Sequence, residues 1–231
     1  MRRAFASLRN GRGGPVMVEI PSDLSETTVD PTSIENYQAV PNALAQANPE
    51  DVDRAAKALL SAEDPMIIAG AGVLYAEATD QLVQLAEFLQ LPVMTTMEGK
   101  SAISELHPLA LGSGSGVMSE PVLSFLKKAD VVLVIGSSMT PHSMVTPIPS
   151  GKTVIHSTND PIDIGKGGSP DHALLGDSKL VLSQLYEAVQ DLAGENPRSV
   201  VEGPAQEIEA IRLAWEANWS PKLMANSKPI N

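Results

Sequence analysis

Apolar positions fall into two rhythms along this chain. From Asp51 onward, Val52, Ala55, Ala56, Leu59 and Leu60 recur at helical spacing and predict a helix over 51–62, with Pro49 just ahead of it. Met66–Ala69 is a continuous apolar run ending in Gly70-Ala71-Gly72, which reads as a buried strand and its turn. Leu82, Leu85, Ala86 and Leu89 mark the apolar face of a helix at 75–90, and 92–96 is the next strand. A Gly- and Ser-rich loop over 97–116 leads into a helix at 120–128 and then Val131–Ile135, the most apolar strand in the chain. A proline-containing loop over 136–149 precedes a strand at 153–156. Leu180, Leu182, Leu185, Val189 and Leu192 define an amphipathic helix at 178–192, 205–219 is helical, and 220–231 reads as unstructured. Strands alternating with helices predict an α/β fold over 51–193, a doubly wound parallel sheet with crossover helices.

The first fifty residues have a different texture. Residues 2–9 suit a short helix closed by Asn10-Gly11. Val16, Val18 and Ile20 then alternate with Met17 and Glu19, between Gly13-Gly14-Pro15 and Pro21, which predicts a strand at 16–20. Residues 21–50 hold Pro21, Pro31, Pro41 and Pro49 and read as a linker. A lone strand needs neighbours, and none follows within about 40 residues, since even two strands are marginal in water. The 16–20 strand is therefore expected to pair with another chain, to pack poorly or to fray, with far less burial than Val131–Ile135.

Composition narrows the function. Apolar residues make up 43% of the 231 residues but aromatics only 3%, so the core is expected to be built from Ala, Val, Ile, Leu and Met. The net charge of −12 gives no basic footprint for nucleic acid. No stretch approaches the roughly 20 apolar residues of a membrane span, and Met1-Arg2-Arg3-Ala4-Phe5 opens no signal peptide. The absence of cysteine removes disulfide, zinc-knuckle and thiol chemistry and fits a cytoplasmic location.

Candidate binding residues lie where loops leave predicted strands, since ligands of doubly wound sheets sit beyond the carboxyl ends of the strands. Gly70 and Gly72 open one such loop; a full dinucleotide fingerprint needs a further glycine at 75, where Tyr75 stands. Gly136 and Ser137, followed by Ser138, open a second, and Asp160 follows the third strand end within His156-Ser157-Thr158-Asn159-Asp160. An acidic residue there suits a ribose, and Asp160-Pro161 equally suits a turn. The four histidines, among them His107, His142 and His172, show no metal-ligand spacing. Lys100 reads as a solvated loop lysine, and neither a GxSxG elbow nor a P-loop is present. Trp215 and Trp219, one turn apart, are placed to dock the last helix onto a domain surface.

Six segments in order carry a resemblance. Gly11-Arg12-Gly13-Gly14-Pro15-Val16-Met17-Val18-Glu19-Ile20-Pro21 resembles the closing strand of the pyrimidine-binding domain of thiamine diphosphate-dependent enzymes. Pro65–Gly72, Leu91–Thr96 with Gly99-Lys100, His107-Pro108-Leu109 with Leu111-Gly112, Ala129–Gly136, and Val154-Ile155-His156 with Asp160-Pro161 and Ile164-Gly165 resemble successive pieces of their central domain. The nearest group is that of acetolactate synthase, pyruvate oxidase and benzoylformate decarboxylase.

The resemblance implies a Rossmann-like central domain at 51–193, a remnant of the pyrimidine domain at 1–24, a linker at 25–50, and a linker at 194–231 towards a diphosphate-binding domain. Thiamine diphosphate and Mg2+ are implied for the full-length family, held by a glutamate of the first domain and a Gly-Asp-Gly…Asn motif of the third. Gly176-Asp177 continues as Ser178-Lys179 and resembles the central domain's own Gly-Asp instead. No catalytic residue is expected in this chain, which is expected to be inert alone. By resemblance Gly70, Gly72, Gly136, Ser137 and Asp160 are the nucleotide-contacting positions, for FAD or ADP. Ser138 and Met139 stand where FAD-binding members carry Arg, and Thr158 where they carry Asp, which argues against FAD. The family implies a homo-oligomer. The alternatives are a free-standing nucleotide module, or a subunit completed by a complementing chain.

Overall fold

The chain folds as two units, Met1–Ala45 and Gln46–Asn231. The structure, a computed structural model, describes residues 1–32, 38–115, 118–143, 145–193 and 203–226. Parts of the expected linkers (33–37 and 194–202), of two expected loops (116 and 144) and of the expected unstructured end (227–231) lie outside the described residues.

In the first unit, helix α1 (Arg2–Arg9) ends at Asn10. The Asn10 side chain donates to Ala6 O at 2.9 Å and accepts from Ala43 N at 2.8 Å, holding two distant parts of this unit together. A single turn, α2 (Ser22–Ser25), follows. The strand expected at 16–20 does not form. Val16, Val18 and Ile20 are 38%, 44% and 61% exposed, whereas Val131–Ile135 is buried throughout. The reason is the missing ladder: the described residues of this unit contain no strand to pair with it.

The second unit begins at helix α3 (Pro49–Ser61), whose cap Asn48 accepts from Glu50 N at 3.1 Å, with Pro49 at the first position where no N–H is required. Then come β1 (Met66–Ala69), α4 (Ala71–Tyr75), α5 (Thr79–Leu89), β2 (Val93–Thr95), β3 (Ala110–Ser113), α6 (Glu120–Lys128), β4 (Val131–Ile135), β5 (Thr153–Thr158), a 3-10 turn at Pro161–Asp163, β6 (His172–Leu175), α7 (Ser178–Ala193) and α8 (Pro204–Leu223). The six strands are all parallel, in the order β3-β2-β1-β4-β5-β6. This is the doubly wound α/β fold read from the sequence.

Two apolar layers enclose the sheet. Val131, Leu133 and Ile135 of β4 pack with α3, α5 and α7, while Val132 and Val134 pack with α6 and with Ile208 of α8. A strand buried on both faces needs apolar residues at every position, which is why β4 reads as an unbroken run.

Several boundaries differ from expectation. The helix read over 75–90 is α5 and starts only at Thr79; the short α4 lies ahead of it, in the stretch read as a glycine turn, and the two are parted where Glu77 takes φ 51°. β3 lies inside the expected 97–116 loop; it is a four-residue edge strand containing glycine, with a register shift against β2. β6 is the other edge and buries only Leu174 fully. The strand read as 153–156 runs on to Thr158. The end read as unstructured from 220 is helical through Leu223.

At the amino-terminal end of the sheet, Asp130 ties the strand starts together. Its carboxylate accepts from the backbone N–H groups of Glu63, Asp64 and Val131 at 2.8–2.9 Å. Burial alone would raise its pKa, but these N–H bonds outweigh it and hold the carboxyl below its usual range. Lys128 bridges Asp64 (3.0 Å) and Glu207 (3.1 Å), and Arg212 donates to Ala110 O at 2.9 Å, so two side chains fix α8 across this end and along the β3 edge.

Candidate functional site

In this strand order the chain leaves β1 and β4, its two central neighbours, towards opposite sides of the sheet, so the crevice between their carboxyl ends is the fold's topological switch point. Gly70, Gly72, Gly136 and Ser137 meet there. Gly70 N donates to Ile135 O and Gly72 N to Gly136 O, both at 2.8 Å, and Gly136 N donates to Ser157 O at 3.0 Å. A Cβ on Gly72 would lie 2.6 Å from Gly136 Cα, one on Gly136 2.7 Å from Val73 N, and one on Gly70 2.7 Å from Ser137 Cβ. The glycines therefore let the loop after β1 press directly against the loop after β4. Gly136 also takes φ +66°, a region that glycine adopts without strain.

This joint uses the amides that a diphosphate would need. The N–H groups of Gly70 and Gly72 are spent on facing carbonyls, and α4, only five residues long, follows directly. Ser137 Oγ accepts from Met139 N at 3.3 Å, and its carbonyl accepts from Nε2 of buried His156 at 2.8 Å. The imidazole therefore carries its proton on Nε2 and braces the loop from below.

Asp160 stands two residues beyond β5. Its carboxylate accepts from Ile162 N at 3.0 Å and opens the 3-10 turn, so it serves as a turn cap. Beside it lies a buried charge that sequence reading passed over. Asp163 is buried, accepting from Thr158 Oγ1 at 3.0 Å and from Lys166 Nζ at 2.6 Å. The only signal was Lys166 three residues after an aspartate in a loop of glycines, which on a surface means little. Burial, invisible in the spacing, gives the pair its weight.

The remaining candidates are accounted for locally. Lys100 pairs with Glu105 at 2.8 Å on the exposed side. His107 Nδ1 accepts from Leu109 N and Nε2 faces Glu87, both at 3.2 Å. His172 starts β6. Among the described residues no group of three or more His, Cys, Asp or Glu could hold a metal ion. A separate cleft of about 180 Å³ opens at the opposite end of the sheet, between Asp64, Gln90, Phe125, Lys128 and Glu207. Sequence reading gave no sign of it, because its walls come from four distant segments.

A family model described as "Thiamine pyrophosphate enzyme, central domain" matches residues 52–185, from α3 into α7. The chain is similar to a probable acetolactate synthase large subunit of Methanococcus aeolicus, 32% identical over 205 residues, covering 85% of this chain and 34% of that protein. It is also similar to a glyoxylate carboligase of Escherichia coli O157:H7, 31% identical over 204 residues, covering 85% of this chain and 34% of that enzyme. In fold it resembles the crystal structure of benzoylformate decarboxylase from Polynucleobacter necessarius, with a TM-score of 0.67 and 22% identity over 81% of this chain and 35% of that one. The chain spans about a third of the length of the curated relatives it matches.

Proposed function

This chain belongs to the thiamine pyrophosphate enzymes as their central domain, and from that premise we propose that it is the middle, structural part of an acetolactate synthase-like carboligase or decarboxylase of 2-oxo acids. The observation carrying this reading is the match over 52–185, which spans all six strands of the parallel sheet and most of its helices.

Thiamine diphosphate and Mg2+ are the cofactors of this reading in the full-length family, and the residues described do not fit them. Asp177, of the chain's one Gly-Asp pair, accepts from Lys179 N at 3.0 Å and Leu180 N at 3.3 Å, so its carboxylate caps α7. With no metal-holding group of carboxylates or histidines among the described residues, no catalytic step is assigned to this chain. The test is turnover of pyruvate and glyoxylate by the purified chain with thiamine diphosphate and Mg2+. No product is expected, and steady product formation would overturn the proposal. The reading carries with it a homo-oligomeric full-length enzyme and a cytoplasmic location. No helix among the described residues is long and apolar enough to cross a membrane.

A second reading, a module holding ADP or FAD at Gly70, Gly72, Gly136, Ser137 and Asp160, is favoured by the place of the first four at the switch point and opposed by the spent amides and by the capping role of Asp160. A nucleotide at about 100 times its dissociation constant stabilises the protein by about 2.7 kcal/mol. The first reading predicts no shift in thermal unfolding with ADP or FAD; a saturable shift lost in Asp160→Ala would establish the second. The third reading, a subunit of a split enzyme, predicts co-purification with a chain carrying a Gly-Asp-Gly…Asn motif.

A further inference from the structure

The cleft at the amino-terminal end of the sheet, far from the switch point, has a volume of about 180 Å³. At about 30 Å³ for each water, that is room for about six waters or a small organic molecule of similar bulk. Its floor is apolar: Pro65, Met66, Pro92 and Phe125 line it, and all four are buried. Its rim is acidic, with the carboxylates of Glu63, Asp64 and Glu207 set against the ammonium of Lys128.

That rim decides the sign of a ligand. Lys128 Nζ lies 3.0 Å from Asp64 and 3.1 Å from Glu207, so its charge is already answered, and it sits over the Phe125 ring at 5.9 Å from the centroid. A carboxylate entering the cleft would meet three carboxylates and a lysine already engaged. An ammonium would meet surplus negative charge beside an aromatic ring, which attracts cations. Helices α5 and α6 end in the cleft wall and α8 begins there with Glu207 in its first turn, so helix ends lend the site no positive balance. The buried floor below the rim suits an alkyl chain, whose surface leaves water on binding.

We propose that this cleft binds a small primary alkylammonium ion, with the alkyl chain on the apolar floor and the ammonium among the rim carboxylates. Asp64 stands just before β1 and Glu207 in the first turn of α8, so the bound cation reinforces the tie that Lys128 makes between α8 and the sheet. The rim is open to solvent, so high salt weakens the binding.

The test is titration of the full chain with butylamine and with butanediamine, followed by amide NMR shifts. Butyrate and butanol serve as probes of the opposite charge and of none. The expected result is saturable shifts centred on Gln90, Phe125 and Glu207 with both amines, and none with butyrate or butanol at the same concentrations. Lys128→Met removes the competing ammonium and is expected to tighten butylamine binding about two- to fivefold, whereas Glu207→Gln is expected to weaken it by a similar factor. A variant that merely loosened the fold would not gain affinity, so the two substitutions separate a charge effect from a structural one. No saturable shift, shifts spread over the acidic surface away from the cleft, an equal response to butyrate, or unchanged or weaker binding in Lys128→Met overturns the proposal.

Discussion

Replacing Gly136 with alanine tests whether the switch point is a closed structural joint. Two costs act there. The first is backbone strain: a non-glycine residue near φ +66° costs about 1–2 kcal/mol. The second is crowding: the new Cβ would lie 2.7 Å from Val73 N and 2.9 Å from Gly72 C and Cα, all backbone atoms that cannot rotate away. Overpacking of this kind costs typically about 1–3 kcal/mol. Together they predict a loss of about 2–5 kcal/mol. At about 2–4 °C per kcal/mol for a chain of this size, the melting temperature falls by roughly 4–20 °C. Gly151→Ala is the matched control, since Gly151 takes φ +85° and a Cβ there meets nothing within 4 Å. Both substitutions reduce the entropy of the unfolded chain alike, so that contribution cancels between them. Urea unfolding followed by circular dichroism measures the difference, expected at about 1–3 kcal/mol, with Gly136→Ala the less stable. Equal losses at the two positions would show that the loops after β1 and β4 are not pressed together, and would reopen the crevice to a ligand.

Three further substitutions probe other parts of the account. Ser157 Oγ is buried without a hydrogen-bond partner, so Ser157→Ala is expected to stabilise the protein by about 1 kcal/mol in the same unfolding assay, and a clear loss would show that the hydroxyl has work to do. The Asp130 carboxyl is held below its usual pKa, so its contribution is complete above about pH 4 and is lost as pH falls through the lower folded value; Asp130→Asn should flatten the fall in stability between about pH 5 and 2, and an unchanged acid limb would refute the role. The Lys128 ammonium is raised, chiefly by its bond to Asp64, against burial and with help from Glu207, so its contribution is complete below the usual lysine range and is lost as pH rises through the higher folded value. Lys128→Met should cost less than about 1 kcal/mol, because the pair is half-exposed, yet speed amide exchange at the start of α8; unchanged exchange would count against the clamp.

The central domain was legible in the sequence because its strands carry continuous apolar runs. Met66–Ala69 and Val131–Ile135 are buried on both faces, and a strand in that position cannot hide its hydrophobicity in alternation. β3 and β6 escaped because neither carries a continuous apolar run through its buried length: β3 follows Ala110 and Leu111 with Gly112 and Ser113, and β6 fully buries only Leu174. The glycines at 70, 72 and 136 were legible as special positions, but their occupant was not. Sequence shows that a side chain is missing; only the structure shows the opposing backbone filling that space. The strand at 16–20 had the right alternation and no partner, and local propensity without a ladder does not make a strand. Asp163 and Lys166 gave no signal because burial of a charge pair depends on loops that meet only in the folded chain.

The claim that this chain is a central domain without its family's cofactor site is tested most directly by calorimetric titration of thiamine diphosphate with Mg2+ into the purified full chain. The account predicts no saturable heat. A one-site isotherm that requires Mg2+ would contradict it.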